Sequence, residues 1–443
     1  MAMQGIAHRY LTECYYGIGG RIKSELDDFQ VTEVPLYQPS DHGEHSYFEI
    51  EKRDFSTLEA VERIAFALGV RSSEIGYAGL KDRKGVTRQV LSVRLVDPKR
   101  VRELKLAQIR VLWVRLHTNK LRIGHLRGNR FKIRVRDVLR ASHRQIEKIV
   151  DTILDRGLPN YFGPQRFGRR GNSFRIGRAL LLRDYEEVVR RIVGYPSRYE
   201  NNPRVVAARF KFMGGDIPGA LTSFPSSYRA ERRILRYLAR AEGNYRGAVR
   251  KLTHEVKRIY YSSFQSYLFN RILDHRLRLS GGRLDTLYKG DLAFLHRNQA
   301  VFNVVDPVAE QSRAAGFEIS PSGPLFGKMM PWPEGIEGHI ERDTVERLAL
   351  RASNFHQLMP SLHMKGARRP FRVKVSELLW ELQGCDLVLE FFLPKGTYAT
   401  TFLREILKND DPPFAYYTAA PEDVPVPEGL DDDEDLEGEP GES

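Results

Sequence analysis

Polar and apolar positions alternate in short runs near both ends of this chain, whereas a helical period governs its middle. Residues up to about 55 read as short strands: RIKSELDDFQVTEV, Arg21 to Val34, gives way to a strand at HSYFEIEKR. Leu58, Val61, Ile64, Ala65 and Leu68 then keep helical spacing, opened by a capping box of Ser56 with Glu59 and closed by Gly69. A strand, VLSVRLV, follows. Farther on, FKIRVR sets Phe131, Ile133 and Val135 against Lys132, Arg134 and Arg136, which predicts a strand with one buried and one cationic face. A second capped helix is expected from Ser142, with Gln145, through Ile146, Ile149, Val150 and Ile153 to Gly157.

The texture changes at LPNYFGPQRFGRRGNSFRIGR, residues 158–178, which is dense in Gly, Arg and aromatics and lacks a regular period. Beyond it the chain reads as mostly helical to about residue 280, then as mixed strands and loops to about 345. Arg229, Arg232, Arg233, Arg236 and Arg240 recur there at helical spacing, with Ile234, Leu235 and Leu238 on another face. Such a stripe is either a solvated face or one that meets a polyanion. Alternation returns at RRPFRVKVSELLWELQGCDLVLEFFLP, and a short helix follows at TTFLREIL. From about Glu422 the chain is rich in Asp, Glu, Pro and Gly, so DDDEDLEGEPGES is expected to be a disordered acidic tail. Strand-rich ends around a helix-rich middle predict an α+β protein in which one domain is interrupted by another. The expected division is 1–157 and 370–421 for the outer domain, 158–369 for the inserted one and 422–443 for the tail.

A length of 443 residues allows two or three domains, and 41% hydrophobic residues suffice for ordinary packed cores. The net charge of +13 points to a polyanionic partner, of which nucleic acid is the commonest. Cys14 and Cys385 are too few for a disulfide framework or a Cys-rich zinc site, which fits a reducing cytoplasm. The start, MAMQGIAHRYLTECYYG, has no apolar core for a signal peptide. No run approaches the roughly 18 apolar residues of a membrane span. His42 and His45 are the closest histidine pair, and HExxH, GxxxxGK[ST] and a helix-opening GxGxxG are all missing, so neither a metal nor a nucleotide cofactor is expected. Nothing demands more than a monomer.

The candidate chemistry gathers in GYAGLKDRKGVTRQ, Gly76 to Gln89, where Asp82 stands alone between Lys81 and Arg83. A charged loop between a helix and a strand is ordinarily a solvated turn. This one is held by Gly76, Gly79 and Gly85 and runs into an alternating strand, a way to present one side chain at a sheet edge with little freedom. Nearby cations keep a carboxylate ionised, and an ionised carboxylate can be a nucleophile.

The string resembles the signature of the TruD family of RNA pseudouridine synthases, GLKDR followed by VT-x-Q, in which the Asp is the catalytic nucleophile. The resemblance puts that role on Asp82. Gly85 is a departure, since the family mostly carries Ala there, and it counts as a small-for-small exchange. K-x-x-x-x-D-F, Lys23 to Phe29, followed by Val31 and Glu33, is similar to a second family string. It makes Lys23 the partner of Asp82 and Phe29 a wall of the uridine pocket. An ammonium there opposes the rise in pKa that desolvation alone would cause. NKLRIGHLRGNRF, Asn119 to Phe131, implies that Asn129 and Phe131 belong to the pocket, an amide for a base edge and a ring for stacking. By its alternation alone, Phe131 reads as core. LPKGTYATTFLRE, Leu393 to Glu405, implies Tyr398 as a further pocket aromatic. PNYFGPQRFG, Pro159 to Gly168, resembles the entrance to the family's inserted domain, its Arg and aromatics serving either RNA or the hinge. FQSYLFN and MKGARRPF look familial and structural.

The resemblance therefore implies a pseudouridine synthase catalytic domain with a mixed or antiparallel sheet, interrupted by a mostly helical α/β insertion, the TRUD domain. It implies tRNA as partner, uridine 13 of the D arm as target, and a cytoplasmic isomerisation with no cofactor. The N1–C1′ bond breaks, the base rotates, and it rejoins through C5. Asp82 would attack C1′, add to the base or remove a ribose proton, and the uridine would leave its stack to reach a buried carboxylate. Two other readings stand beside this one. A non-catalytic RNA-binding or RNA-folding factor on the same scaffold would be marked by loss of Asp82 or Lys23. A glycosidase with paired carboxylates needs a second acid, which Asp82 lacks nearby in sequence.

Overall fold

A computed structural model describes residues 8–138, 143–168, 170–197, 200–348 and 364–409. The expected cap at Ser142 and the acidic stretch 422–443 lie outside the described residues.

The fold is α+β, built on an eight-stranded mixed sheet. Six strands come from the first part of the chain: β1 (Phe29–Pro35), β2 (His45–Arg53), β3 (Gly76–Tyr77), β4 (Val86–Arg94), β5 (Ile109–His117) and β6 (Leu126–Val135). Two more, Ser376–Gln383 and Asp386–Pro394, come from the far end. Across the sheet the order is 376–383, 386–394, β6, β1, β4, β2, β5, with β3 also paired to β4. β1 and β4 run parallel and the other pairs antiparallel. The two strand-rich ends thus meet directly: Phe391 sits opposite Phe131, which sits opposite Val31. Residues 11–19 are tied to the helix Ala399–Leu407 as well. Buried Glu405 accepts from the backbone N–H of Leu11 at 3.0 Å and of Thr12 at 3.1 Å, and the N–H groups of Ile18 and Gly19 donate to the carbonyls of Ile406 and Leu407.

The helix Thr57–Leu68 forms as its pattern predicts. Ser56 Oγ accepts from the Glu59 N–H, the Glu59 carboxylate accepts from the Ser56 N–H, and Gly69 ends the helix in the left-handed region at φ 70°. Between the two halves of the sheet the chain runs through helices from Ser173–Leu181 to the long His254–Leu279, then through a four-stranded antiparallel sheet and the helices Pro307–Ala315 and Gly335–Glu346. Alternation and helical spacing do not reveal Gly335–Glu346, because its inward face carries charge. Glu337 and Glu341 are buried there against Arg276 and Arg368.

Strand register sorts the main sheet into faces. On one face Phe29, Val31, Phe131, Ile133, Leu389 and Phe391 lie side by side and merge into a core shared with His143–Arg156, His254–Leu279 and Ala399–Leu407. Farther along the same face Phe48, Ile50, Leu91 and Val93 form a second core with Thr57–Leu68. Between the two cores lie Glu33, Lys52, Thr87 and Gln89, all buried. This polar seam crosses an otherwise apolar face, and buried polar groups are costly unless they are paired.

The opposite face bears the cations expected along β6, but they are neutralised. Lys132 pairs with Glu390 at 2.6 Å, Arg130 with Glu377 at 2.6 Å, Arg134 with Asp386 at 3.1 Å and Arg136 with Asp28 at 2.8 Å. In the helical part, Arg232 donates to the carbonyls of Leu221 and Phe224 at 2.8 and 2.7 Å, closing the end of the helix Ile217–Ser223. It is therefore a structural member of the arginine stripe.

Candidate active site

Asp82 lies in the loop between β3 and β4. The expected sheet-edge position is not what is found, because β4 is interior, flanked by β1 and β2. Three features hold the loop over the polar seam. The Lys81 N–H donates to Thr57 Oγ1 at 2.8 Å, and that hydroxyl donates to Gln89 Oε1 at 2.8 Å. Buried Lys52 donates to the Asp82 carbonyl at 3.0 Å and also to the carbonyl of Phe55. Burial lowers the Lys52 ammonium to about 8, with the carboxylates of Asp82 and Glu59 opposing the drop. The third feature is Gly85, at φ +145°, where a Cβ would stand 2.4 Å from the Phe29 carbonyl oxygen. In this backbone an alanine at 85 is not a small-for-small exchange. Gly79, by contrast, has open space around it.

Lys23 comes from the segment before β1. Its Nζ donates to Asp82 Oδ2 at 2.7 Å and stands 4.0 Å from the centre of the Phe29 ring, a cation–π arrangement. Its backbone is held at φ 57°, in the left-handed region that costs a non-glycine residue energy. The two partners are unequally placed: the Lys23 side chain is 5% exposed and that of Asp82 47%. The sequence reading expects a buried carboxylate, but the buried member of the pair is the ammonium. Arg83 turns to Glu59 and Asp54 instead.

Phe29 and Phe131 meet edge-on with ring centres 6.3 Å apart, and Phe131 stacks on Phe391 at 5.3 Å. Both are buried, so each ring is chiefly core. Asn129, two residues before Phe131 on the same strand face, is half-buried. Its Oδ1 accepts from Lys81 Nζ at 2.8 Å, and that ammonium lies 2.6 Å from Glu33 Oε2. Tyr398 lies between the strand 386–394, whose Leu393 is opposite Asn129, and the helix Ala399–Leu407. Its ring packs edge-on to Phe162 at 6.0 Å rather than against the Lys23–Asp82 pair. Arg369 secures that junction, donating to the carbonyls of Gly396 and Asn160 and lying 4.2 Å from the Phe162 ring centre. In the segment 159–168, Asn160 bonds to the backbone of 370–371 and the Phe162 N–H donates to Asn270 Oδ1 at 2.8 Å, so these two residues tie the segment to its neighbours.

Sequence reasoning gave no role to Glu33, Lys52, Thr57 or Gln89, and it read Lys81 as a cation beside Asp82, whereas its ammonium turns to Glu33 and Asn129. A signal for two of them was present. Glu33 follows Val31, and Lys52 follows Phe48 and Ile50, at the apolar parity of their strands. A charge at such a position is buried with a partner or does not belong to that strand. Thr87 Oγ1 and Gln89 Nε2 are buried without a hydrogen-bond partner, so the seam holds further bonding capacity. Among the described residues no three metal-ligating side chains come together, and no helix is long and apolar enough to cross a membrane.

Comparison with known proteins bears on the whole of this arrangement. The family model of tRNA pseudouridine synthase D (TruD) matches residues 6–406. The tRNA pseudouridine synthase D of Geotalea daltonii is 44% identical over 404 residues, covering 91% of this chain and 100% of that one. Its namesake in Thermus thermophilus is 35% identical over 426 residues, covering 95% and 97%. The crystal structure of a Methanosarcina mazei protein named after TruD superposes with a TM-score of 0.76 at 28% identity, covering 90% of this chain and 96% of that one.

Proposed function

This chain belongs to the TruD family, and from that premise we propose that it isomerises uridine to pseudouridine in tRNA, at position 13 of the D arm, with Asp82 as the nucleophile. The Lys23–Asp82 pair carries this reading: an exposed carboxylate backed by a buried ammonium, on a loop whose backbone is tied on both sides of the residue. Lys23 donates to Oδ2 at 2.7 Å, and the Asp82 side chain is 47% exposed. The uridine leaves its stack and meets aromatic and amide groups, here Phe29, Phe131, Tyr398 and Asn129. Attack at C1′, addition to the base and proton removal from the ribose all use an ionised carboxylate that a ligand can reach. The reaction rearranges one nucleoside without oxidation or a second substrate, so the reading includes no metal and no cofactor.

The same reading divides the chain into a catalytic part, 1–157 with 370–421, and an inserted TRUD domain, 158–369. Strands from both outer pieces sharing one sheet support that division. A cytoplasmic monomer completes it. A non-catalytic RNA-binding factor on this scaffold would have no use for the intact Lys23–Asp82 pair.

The test is to incubate purified protein with unmodified tRNA transcript, folded beforehand, in the presence of EDTA, and to map pseudouridine. Conversion at position 13 is expected. Conversion elsewhere would move the target, and no conversion, or a strict need for added metal, would reject the reading.

A further inference from the structure

Lys81 has no place in the chemistry described so far. It is 8% exposed, and its ammonium is taken up by two groups, Glu33 Oε2 at 2.6 Å and Asn129 Oδ1 at 2.8 Å. We propose that Lys81, anchored by Glu33, holds Asn129 so that it meets the base only as a hydrogen-bond donor, and thereby selects uracil over cytosine. The inference rests on the placement of Asn129 against the base in the function proposed above.

A lysine ammonium offers donors and no acceptor. The amide atom that faces it is therefore the oxygen, and an amide turned over would set its own N–H groups against the cation. Neither end of Lys81 is free to follow such a flip. Its backbone N–H is tied to Thr57 Oγ1, and the carboxylate that anchors its ammonium has a side chain only 1% exposed. With Oδ1 committed to the seam, the planar amide directs Nδ2 to the other side, and Asn129 is half-buried.

A donor fixed in this way needs an acceptor from the ligand. Here Nδ2 meets the C4 position, where uracil carries a carbonyl oxygen; the C2 carbonyl is common to both bases and would not tell them apart. Cytosine carries an amino group at C4, which would set donor against donor and leave both unpaired. A site built around a hydrogen bond rejects the analogue that cannot make it far more strongly than an apolar pocket rejects a misfit. Lys81 is in this account a positioning residue, acting through Asn129.

The experiment uses the full chain carrying Asp82→Asn, so that binding proceeds without turnover. tRNA with uridine or cytidine at the target and 2-aminopurine beside it reports base flipping by fluorescence. With Lys81 and Asn129 intact, uridine should flip on the order of ten- to a hundredfold more readily than cytidine. Lys81→Met should bring that ratio to within about threefold, as expected when the amide is free to turn over. In an Asn129→Ala background, Lys81→Met should change the ratio no further. A merely structural role for Lys81 would not produce this dependence. Should Lys81→Met fail to fold by circular dichroism, Glu33→Gln loosens the same anchor and should also lower the ratio. The proposal is overturned by a folded Lys81→Met or Glu33→Gln protein with an unchanged ratio. It is equally overturned by a Lys81 effect that persists without Asn129, or by Asn129→Ala leaving the ratio intact. Pseudouridine formation by the unaltered protein on the uridine tRNA tests the function separately.

Discussion

Lys23 and Asp82 are 59 positions apart in sequence, and their side chains meet at 2.7 Å with the cation behind and the carboxylate outward. The order matters chemically. The ammonium is buried against the Phe29 ring and so is held in place, whereas solvent reaches the pair from the carboxylate side. The exposed side of Asp82 remains open to a nucleoside.

Asp82→Asn keeps the loop's size and removes its anion. We expect no detectable pseudouridine, an unchanged circular dichroism spectrum and tRNA affinity within a few-fold of the parent, because phosphate contacts spread over the surface dominate affinity. An Asp82→Asn protein that still turns over at more than a few per cent of the parent rate would end the nucleophile assignment.

Gly85→Ala should destabilise the fold by about 1–3 kcal/mol, the range for backbone strain at a special conformation. The added methyl meets the Phe29 carbonyl at 2.4 Å and the Phe29 ring at 3.3 Å, so turnover should fall along with stability. Urea midpoints and single-turnover rates check both. A variant as stable and active as the parent would show that the loop relaxes without cost.

Lys52 gives a pH signature. Its folded value is about 8 against an ordinary 10.5, lowered by burial and by Lys81, with Asp82, Glu59 and Asp54 opposing. Between about 8 and 10.5 the unfolded chain holds a proton that the folded chain has released, so stability rises with pH across that window. Below it both states are charged, and the penalty of the buried ammonium is constant. Lys52→Met has no such proton. The parent should therefore gain stability relative to Lys52→Met between about pH 7 and pH 10. Urea midpoints that differ by the same amount at both pH values would contradict this.

Tyr398→Ala removes an aromatic face while leaving the phosphate contacts. Loss of one stacking partner is worth about 1–3 kcal/mol per base, and it should appear in turnover more than in tRNA binding. Collapse of affinity with normal single-turnover chemistry at saturating enzyme would place Tyr398 outside the pocket.

Local features were legible in the sequence. The Ser56–Glu59 box, the Gly69 stop and the alternation along β6 each depend on residues a few positions apart, and each stands as read. The family string likewise drew attention to Asp82 and Lys23, which the fold brings into contact. What the chain pattern did not reveal depends on partners far away. Alternation told that Lys132, Arg134 and Arg136 share a face but not that Glu390, Asp386 and Asp28 neutralise them. Spacing alone also could not tell Arg232, bonded to two carbonyls, from the rest of its stripe. Glu33 and Lys52 were visible as charges at apolar parity, yet their meaning depends on Lys81 and the Asp82 carbonyl, contacts that only the folded loop creates.

The seam between β6 and the strand 386–394 also sets a clock. Arg134 and Asp386, paired across it, are 252 positions apart. At about 5–20 residues per second, a ribosome needs roughly 10–50 seconds to pass from one to the other. Until then β6 has β1 on one side and an unpaired edge on the other, and such edges are templates for wrong association. Leu11, Thr12 and Ile18 wait longer still for Glu405 and Ile406. The part of the molecule that is translated first is thus among the last to be completed. A message cut short before the strand 386–394 yields a chain whose sheet is left open at β6.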